Sequence, residues 1–310
     1  MGKGYKTFCP ACGGHNLYVT PHNGMGYCFN CGYTCRQREH KPHYARRSSF
    51  RDGIRAVYTA YAQWCAEHMR DEHYAYLEQR GITRATAQQY CIGYCPPKLF
   101  APLLTREAYE AGLITTDRKP FLAGRILIPY LDTQGTVIDL RGRVYDPAVA
   151  HLPDVKYLSP YRSAYYRWAD IPYNAAALRS PQVVITEGEL KALASVQAGI
   201  PSVALPGIRS FRDGLTDGLR MSLVVNAGSD VVICFDHQRQ HMNDVYRAVI
   251  DLVKRLRVHT THLRVATLPL VDDDEKMDID TYILRYGVEA YRSVIASAPL
   301  FDTWYRLIMQ

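Results

Sequence analysis

The sequence predicts an α/β protein with a parallel sheet, preceded by a small β-ribbon that a metal ion holds together. Between residues 183 and 270, short apolar segments alternate with helical segments, the pattern of a parallel sheet covered by helices. Near the N-terminus, four cysteines stand in two close pairs. In a reducing compartment this spacing is typical of a metal site rather than of disulfides. The predicted overall class is therefore α/β, or α+β when the ribbon and the intervening segments are included.

The cysteine motif begins with Cys9-Pro-Ala-Cys12 and ends, after fifteen residues, with Cys28-Phe-Asn-Cys31. Four thiolates at this spacing can surround a structural Zn²⁺ tetrahedrally and leave no coordination position for a substrate. A ribbon of about 35 residues buries too little apolar surface to fold alone, so the metal would supply the folding free energy. Aromatic residues between the cysteines could stack on unpaired bases or form the core of the ribbon.

Charge is concentrated at the N-terminal end of the chain. The formal net charge is +7, and residues 1–55 contain nine Lys or Arg and two acidic residues, so the remainder is neutral overall. A local basic segment is typical of a protein that binds a polyanion. The alternative is a linker whose charges keep the chain soluble. The sequence has neither a secretory signal nor an apolar run of roughly 20 residues, so we expect a cytoplasmic protein without membrane contact.

The chain divides into five predicted segments. Residues 53–178 begin with a helical pattern, have a plausible second helix start at Thr83, and contain a hairpin at 121–145 around the turn Asp132–Gly135. Residues 179–288 hold the parallel sheet. The full division is 1–38 zinc ribbon, 39–52 basic linker, 53–178 N-terminal subdomain, 179–288 parallel-sheet domain and 289–310 C-terminal helical segment.

Acidic residues follow the strands of the predicted sheet. Glu187 comes directly after VVIT, Asp236 follows VVICF, and Asp278 and Asp280 follow the fourth strand. The carboxyl ends of parallel strands share one edge, so these side chains are expected to converge. Converging carboxylates suit Mg²⁺, which takes oxygen ligands and bridges nucleotide phosphates. A single acid at a strand end is more commonly a helix cap, but several at corresponding ends favour a site.

Basic residues accompany this predicted acidic site. Arg125, Arg141 and Arg143 lie on the hairpin, and Lys156 lies just beyond it. Guanidinium groups suit triphosphates and nucleic-acid backbones, although any one of these residues could be ordinary surface charge.

The order of these motifs resembles a DnaG-type DNA primase nearly end to end. YLEQRGITRATAQQYCIGYCP resembles the opening of the family's catalytic core, and GRILIPYLDTQGTVIDLRGRVYD resembles its hairpin. VKYLSPYRSAYYRWADIPYN resembles the basic stretch that precedes the family's Toprim domain. EGELKALASVQAGIPSVALPG, ICFD and MDIDTYILRYG resemble the three Toprim motifs. The four cysteines are more similar to those of phage primase–helicases than to the Cys-His-Cys-Cys set common in bacterial primases.

The resemblance implies a two-part primase core with a Toprim sheet that synthesises short RNA primers on single-stranded DNA. Glu187 would be general acid/base and metal ligand, and Asp236, Asp278 and Asp280 would complete a Mg²⁺ or Mn²⁺ site. Ribonucleoside triphosphates would be substrates, and a separate replicative helicase would be a partner. Template or nucleotide would contact a set of basic and aromatic side chains: Arg125, Arg143, Lys156 and Tyr157, with Arg141 and Lys191 as further candidates.

Two positions depart from the family pattern. Gln238 stands where the family usually has a second acid after Asp236, and Lys191 stands where it usually has an acid after Glu187. Replacing an acid by lysine changes the local charge by about two units and weakens cation affinity. The site would then bind one metal strongly rather than two, or depend on Asp278 and Asp280. The alternative is a catalytically impaired single-stranded-DNA-binding replication accessory protein of a phage or mobile element. A Toprim nuclease is a third possibility, which the hairpin and the KYLSP segment disfavour.

Overall fold

The structure is a computed structural model of the chain, and it forms two compact units. The first comprises Met1–His73, Gln88–Tyr130 and Gly135–Tyr166, and the second comprises Tyr74–Ala87, Leu131–Gln134 and Arg167–Gln310. The structure describes residues 5–7, 9, 17–19, 25–28, 34–36, 47–98, 103–132, 135–160, 172–205, 230–257, 260, 262–271 and 274–310.

The N-terminal part of the first unit is a four-stranded antiparallel sheet. Its strands are β1 (Tyr5–Thr7), β2 (Leu17–Val19), β3 (Met25–Cys28) and β4 (Thr34–Arg36), paired in chain order. Cys9 and Cys28 are buried with Leu17 and Val19. The predicted β-ribbon is thus present in its strands. Cys12 and Cys31 lie outside the described residues, so the zinc site remains a prediction.

A long helix, α1 (Arg47–Glu67), follows the sheet. Its buried side chains Ile54, Tyr58, Tyr61 and Cys65 recur at steps of three and four residues, the spacing of one helical face. α1 thus begins within residues 39–52, the predicted basic linker, of which residues 39–46 lie outside the described residues.

A second antiparallel sheet completes the first unit. Its order is β5 (Gly93–Cys95), β6 (Arg125–Leu131), β7 (Val137–Val144) and β8 (Tyr157–Leu158), which confirms the predicted hairpin. Gly93 is required here, because a Cβ at this position would lie 2.6 Å from the backbone carbon of Cys65 in α1. The short helix α4 (Arg106–Glu110) is capped by the side chain of Thr105.

The parallel sheet forms the centre of the second unit. Its strands are β9 (Gln182–Glu187), β10 (Ser202–Leu205), β11 (Asp230–Ile233) and β13 (Leu263–Val265), in the order β10-β9-β11-β13, and every pair is parallel. Alternate residues of β9 and β11 enter two apolar clusters, one on either face of the sheet, whereas β10 and β13 contribute to the first of these clusters. The alternating pattern of the sequence predicted this sheet correctly.

The remaining elements are helices and two short strands. The 3-10 helix Ala175–Arg179 precedes β9. The helices are α2 (Asp71–Glu78), α3 (Arg84–Gln89), α5 (Glu189–Gln197), α6 (Met242–Leu256), α7 (Ile279–Tyr286), α8 (Val288–Ala296) and α9 (Phe301–Ile308), and the strands are β12 (His237–Gln238) and β14 (Lys276–Met277). Thr83 caps α3 as predicted, since its hydroxyl accepts the N–H of Thr86 at 3.3 Å.

The second unit includes an earlier segment of the chain than the sequence predicted. Residues 74–87 group with the parallel sheet, although they fall inside the predicted subdomain 53–178. The Gln197 side chain at the end of α5 explains part of this grouping. It accepts hydrogen bonds from the Thr83 N–H and the Thr86 hydroxyl, and it donates to the carbonyl of Gly81.

Within the described residues, no helix is both long enough and apolar enough to cross a bilayer.

Candidate active site at the carboxyl ends of the parallel strands

Two neighbouring parallel strands deliver the first two acidic residues. Glu187 is the last residue of β9, and Gly188, with a φ of +84°, turns the chain directly into α5. Asp236 follows the buried apolar end of β11 and is only 2% exposed. Because β9 and β11 pair in parallel register, both residues lie at the same edge of the sheet.

A small antiparallel ladder delivers the third acidic residue. His237 pairs with Met277, and Gln238 pairs with Lys276, so β14 lies beside the chain that leaves β11. Asp278 follows β14 and caps α7, accepting the N–H of Thr281 at 3.2 Å. Gln238 itself is half-buried on this ladder.

Two lysine side chains join these carboxylates. The Nζ of Lys191 lies 2.5 Å from both carboxylate oxygens of Asp236 and 3.6 Å from Oε1 of Glu187. The Nζ of Lys276 lies 2.6 Å from Oδ2 of Asp236 and 3.7 Å from Oδ2 of Asp278. Glu187, Asp236 and Asp278 therefore converge in space, as their positions in the sequence suggested. Lys191, expected to contact nucleotide or template, lies among the carboxylates.

The fourth carboxylate is engaged by an arginine that the sequence reasoning did not single out. Asp280 is 2% exposed and forms an ion pair with Arg80, which the segment 74–87 contributes. The only signal in the sequence was the position of Arg80 within YLEQRGI, the stretch that opens the similarity to primases. Four carboxyl groups of this site thus face three cationic groups.

Burial and mutual repulsion shift the proton affinity of this cluster. Burial raises the pKa of Glu187 to about 7, with a further increase from Asp236 and an opposing effect of Lys191. Burial and Asp278 raise the pKa of Asp280 to about 6, against the effect of Arg80. Burial would also raise the pKa of Asp278, but hydrogen bonds from Asp280 and Thr281, together with both lysines, hold it well below the ordinary value. Glu187 can therefore take up and release a proton near neutral pH.

The charge of Lys191 follows from the same contacts. Burial alone would lower the pKa of this ammonium group, but Asp236 and Glu187 together raise it above the ordinary lysine value. Lys191 is consequently a cation under all ordinary conditions.

The carboxylates are oxygen donors of the kind that Mg²⁺ and Mn²⁺ prefer. Their present contacts do not fit a pair of such ions, however. Both oxygens of Asp236 already contact ammonium groups, and Asp280 is held by Arg80. In the part of the chain that the structure describes, no three His, Cys, Asp or Glu side chains are arranged to hold a metal ion.

Arg125 corrects a sequence-based expectation. It was expected to contact template or nucleotide, but its side chain is fully buried in the first unit. Its guanidinium donates to the carbonyls of His151, Leu152 and Val155 at 2.8–2.9 Å. Burial lowers its pKa to about 10, which leaves it charged at neutral pH. Arg125 therefore fixes the 151–155 loop and has no surface with which to contact a ligand.

The other basic residues of the hairpin surround one aromatic ring. The guanidinium carbon of Arg141 lies 4.5 Å from the ring centre of Tyr157, and that of Arg143 lies 5.3 Å from it. Arg143 also donates to the Tyr157 hydroxyl at 2.9 Å. Lys156 is exposed beside them. We call these four residues the Tyr157 cluster; its two arginines lie on β7 and face the Tyr157 ring on β8.

Comparison with known proteins identifies the class of this fold. Residues 60–179 match the family described as DNA primase catalytic core, N-terminal domain, and residues 176–290 match a domain of unknown function, DUF3854. The Enterococcus faecalis DNA primase is 26% identical over 237 residues, which are 71% of this chain and 36% of the relative. The Escherichia coli K12 DNA primase is 25% identical over 268 residues, 81% of this chain and 44% of the relative.

Solved structures give the same result for the fold. A crystal structure of the zinc-binding and RNA polymerase domains of Aquifex aeolicus primase covers 98% of this chain and 81% of that chain, with 19% identity and a TM-score of 0.65. The RNA polymerase domain of Mycobacterium tuberculosis DnaG covers 83% of this chain and 87% of that chain, with 20% identity and a TM-score of 0.68. A DnaG primase catalytic domain bound to ssDNA covers 82% of this chain and 83% of that chain, with 21% identity and a TM-score of 0.63.

The chain has the fold of a primase catalytic core. It is similar in sequence to the DnaG-type DNA primases. It spans between 36% and 44% of the length of the two curated relatives described here.

Proposed function

We propose that the chain is a DNA primase that synthesises short RNA primers on single-stranded DNA. The observation that carries this proposal is the convergence of Glu187, Asp236 and Asp278 at one edge of a parallel sheet, in a chain whose preceding segment matches the primase catalytic core. We equate the parallel-sheet domain, residues 179–288, with a Toprim domain. The reaction is the attack of a ribonucleotide 3′-hydroxyl on the α-phosphate of an incoming ribonucleoside triphosphate, with release of pyrophosphate.

Glu187 is the proposed general base. Its raised pKa matches a group that accepts a proton from a hydroxyl near neutral pH. Lys191 and Lys276 keep the neighbouring carboxylates neutralised, so that a polyanionic triphosphate is not repelled from the acidic edge. Asp278 and Asp280 complete the proposed acidic set, and Asp280 is fixed in place by Arg80.

The proposed cofactors are a structural Zn²⁺ and a catalytic Mg²⁺ or Mn²⁺. The zinc would be held by the four cysteines at 9, 12, 28 and 31, of which Cys9 and Cys28 are buried in the N-terminal sheet. A divalent ion bound with the nucleotide would neutralise phosphate charge.

Template binding is proposed for the basic surfaces. In the Tyr157 cluster, arginines suit the phosphate backbone, and the aromatic ring supports their orientation. The N-terminal ribbon and the basic residues up to Arg55 add positive charge for the same strand. A separate replicative helicase is the proposed protein partner, and the cytoplasm of a bacterial or phage-infected cell is the proposed location.

Primer synthesis on single-stranded DNA tests the proposed function. Wild-type protein, template, labelled ribonucleotides and Mg²⁺ or Mn²⁺ should yield short RNA oligomers. Glu187→Gln removes the proton acceptor but keeps the shape of the side chain, and it should reduce synthesis by at least a hundredfold. Its affinity for single-stranded DNA should stay within about twofold of the wild type, because Glu187 is not proposed to contact the template.

The matched control is Asp251→Asn on α6, which also removes one carboxylate and whose side chain is 64% exposed. It should leave synthesis unchanged. DNA binding without oligomers under every metal condition would refute the polymerase and favour a DNA-binding accessory protein. Cleavage of the template would favour a nuclease.

A further inference from the structure

Lys191 is a buried cation in a place that local structure does not favour. Its side chain is only 13% exposed, although burying an ammonium group is costly unless it is paired. It also lies in the first turn of α5, where the helix dipole is positive and disfavours cations. Its interactions with the surrounding carboxylates offset both the cost of burial and the unfavourable helix dipole.

The Lys191 ammonium contacts two carboxylates at once, as a metal ion bridging them would. Its Nζ lies at the same distance, 2.5 Å, from the two oxygens of Asp236, and it also approaches Glu187 at 3.6 Å. A divalent ion bound by Asp236 and Glu187 together would have to enter this space, at metal–oxygen distances of about 2.1 Å. The ammonium and the ion would then repel one another at close range in a buried setting.

Lys276 also disfavours a divalent ion at Asp236. Its Nζ contacts Oδ2 of Asp236 at 2.6 Å, so this carboxylate has two cationic partners and is 2% exposed. Lys276 is 43% exposed and contacts Asp278 only at 3.7 Å, whereas Lys191 is enclosed. The enclosed lysine is therefore the group that fills the interior position.

We propose that the Lys191 ammonium takes the place of one divalent cation between Glu187 and Asp236, so that this site works with one fewer metal ion than an all-carboxylate cluster would bind. The proposal rests on the proposed function, because primer synthesis is the reaction that calls for cations at this edge. It assigns Lys191 as a positioning residue that holds the two carboxylates, and it predicts how many ions the folded protein binds.

A Mn²⁺ titration of the zinc-loaded, full-length protein tests this assignment. Free Mn²⁺ is measured by electron paramagnetic resonance, and the number of bound ions per chain is compared between wild type and Lys191→Asp. The variant should bind one more Mn²⁺ per chain than the wild type, with a Kd at least tenfold lower than that of any wild-type Mn²⁺ site. An unchanged number of ions with unchanged affinity would overturn the proposal.

The control is Lys254→Asp, which makes the same charge change on α6, where the side chain is 72% exposed. It should leave the number of bound ions unchanged. If Lys191→Asp does not fold, Lys191→Met replaces it, since methionine keeps the apolar stem. Mn²⁺ should then raise the Tm of Lys191→Met more than that of the wild type, and an equal response would overturn the proposal.

Failure of this inference is distinguishable from failure of the proposed function. An extra Mn²⁺ in Lys191→Asp without primer synthesis by the wild type would remove the polymerase and leave the assignment of Lys191 intact. Primer synthesis with no difference in bound Mn²⁺ would do the reverse.

Discussion

Replacing Arg125 by methionine separates its structural role from a role in binding. The residue donates three hydrogen bonds of 2.8–2.9 Å to the carbonyls of His151, Leu152 and Val155, and it is inaccessible to solvent. Methionine fills part of the same space but cannot donate. Arg125→Met therefore deprives one loop of its partners and changes no exposed surface.

The expected cost is about 3–5 kcal/mol in the free energy of unfolding. A hydrogen bond from a charged donor contributes roughly 1.5–3 kcal/mol, and three of these are lost. Part of this loss is offset because the variant no longer buries a charge. Domains of this kind are stable by roughly 5–15 kcal/mol, so a substantial fraction of the stability would disappear.

Urea denaturation followed by circular dichroism measures this cost, with Arg141→Met as the matched control. Arg141 is half-buried over Tyr157, and its loss should cost no more than about 1 kcal/mol. Template affinity should fall more in Arg141→Met than in Arg125→Met at a temperature where both are folded. Wild-type stability combined with lost DNA binding in Arg125→Met would refute the structural role.

Three further predictions concern stability. Gly93→Ala should destabilise the protein by roughly 1–3 kcal/mol because the new Cβ meets the backbone of Cys65, whereas Gly53→Ala, with open space in α1, should stabilise it by about 0.5–1 kcal/mol in the same urea assay. Burial opposes the ionisation of Asp230, but Arg264 binds it through two nitrogens, and its pKa is lowered. Asp230→Asn should thus cost about 1–2 kcal/mol at pH 7, and this difference should shrink as the pH falls below the ordinary pKa of an aspartate and through the lowered folded-state pKa of Asp230. A difference that does not shrink as the pH falls would contradict the ion pair. Chelation should release one zinc per chain and unfold the N-terminal sheet, which circular dichroism would detect as a loss of β-sheet signal. A zinc-free protein with an unchanged spectrum would contradict the predicted zinc ribbon.

The elements of the parallel sheet were predictable because burial on both faces leaves a strong apolar signal in the sequence. Strands β9, β11 and β13 are each short runs rich in Val and Ile or Leu, and helices separate them. The same topology brought Glu187 and Asp236 to one edge. The apolar runs in the sequence predict the strands. Because the strands are parallel, their carboxyl ends lie at the same edge of the sheet.

The side-chain partners were less predictable because they depend on tertiary contacts. Nothing in the sequence around Asp280 indicates that Arg80, 200 residues away, pairs with it. The burial of Arg125 did have a signal in the sequence, because this residue begins the apolar strand RILIPYL. Almost all residues of this strand are buried, and Arg125 is buried with them. Lys191 departs from the family pattern in the sequence, but its position between two carboxylates depends on tertiary contacts that the sequence does not indicate.

A crystal structure of the protein with Mn²⁺ and a non-hydrolysable ribonucleoside triphosphate tests the central claim most directly. The triphosphate should lie at the carboxyl ends of β9 and β11, and the anomalous signal of Mn²⁺ should lie beside Glu187 or Asp278, with none between Lys191 and Asp236. A nucleotide bound elsewhere on the chain, with the acidic edge left empty, would contradict the assignment of this edge as the site of nucleotidyl transfer.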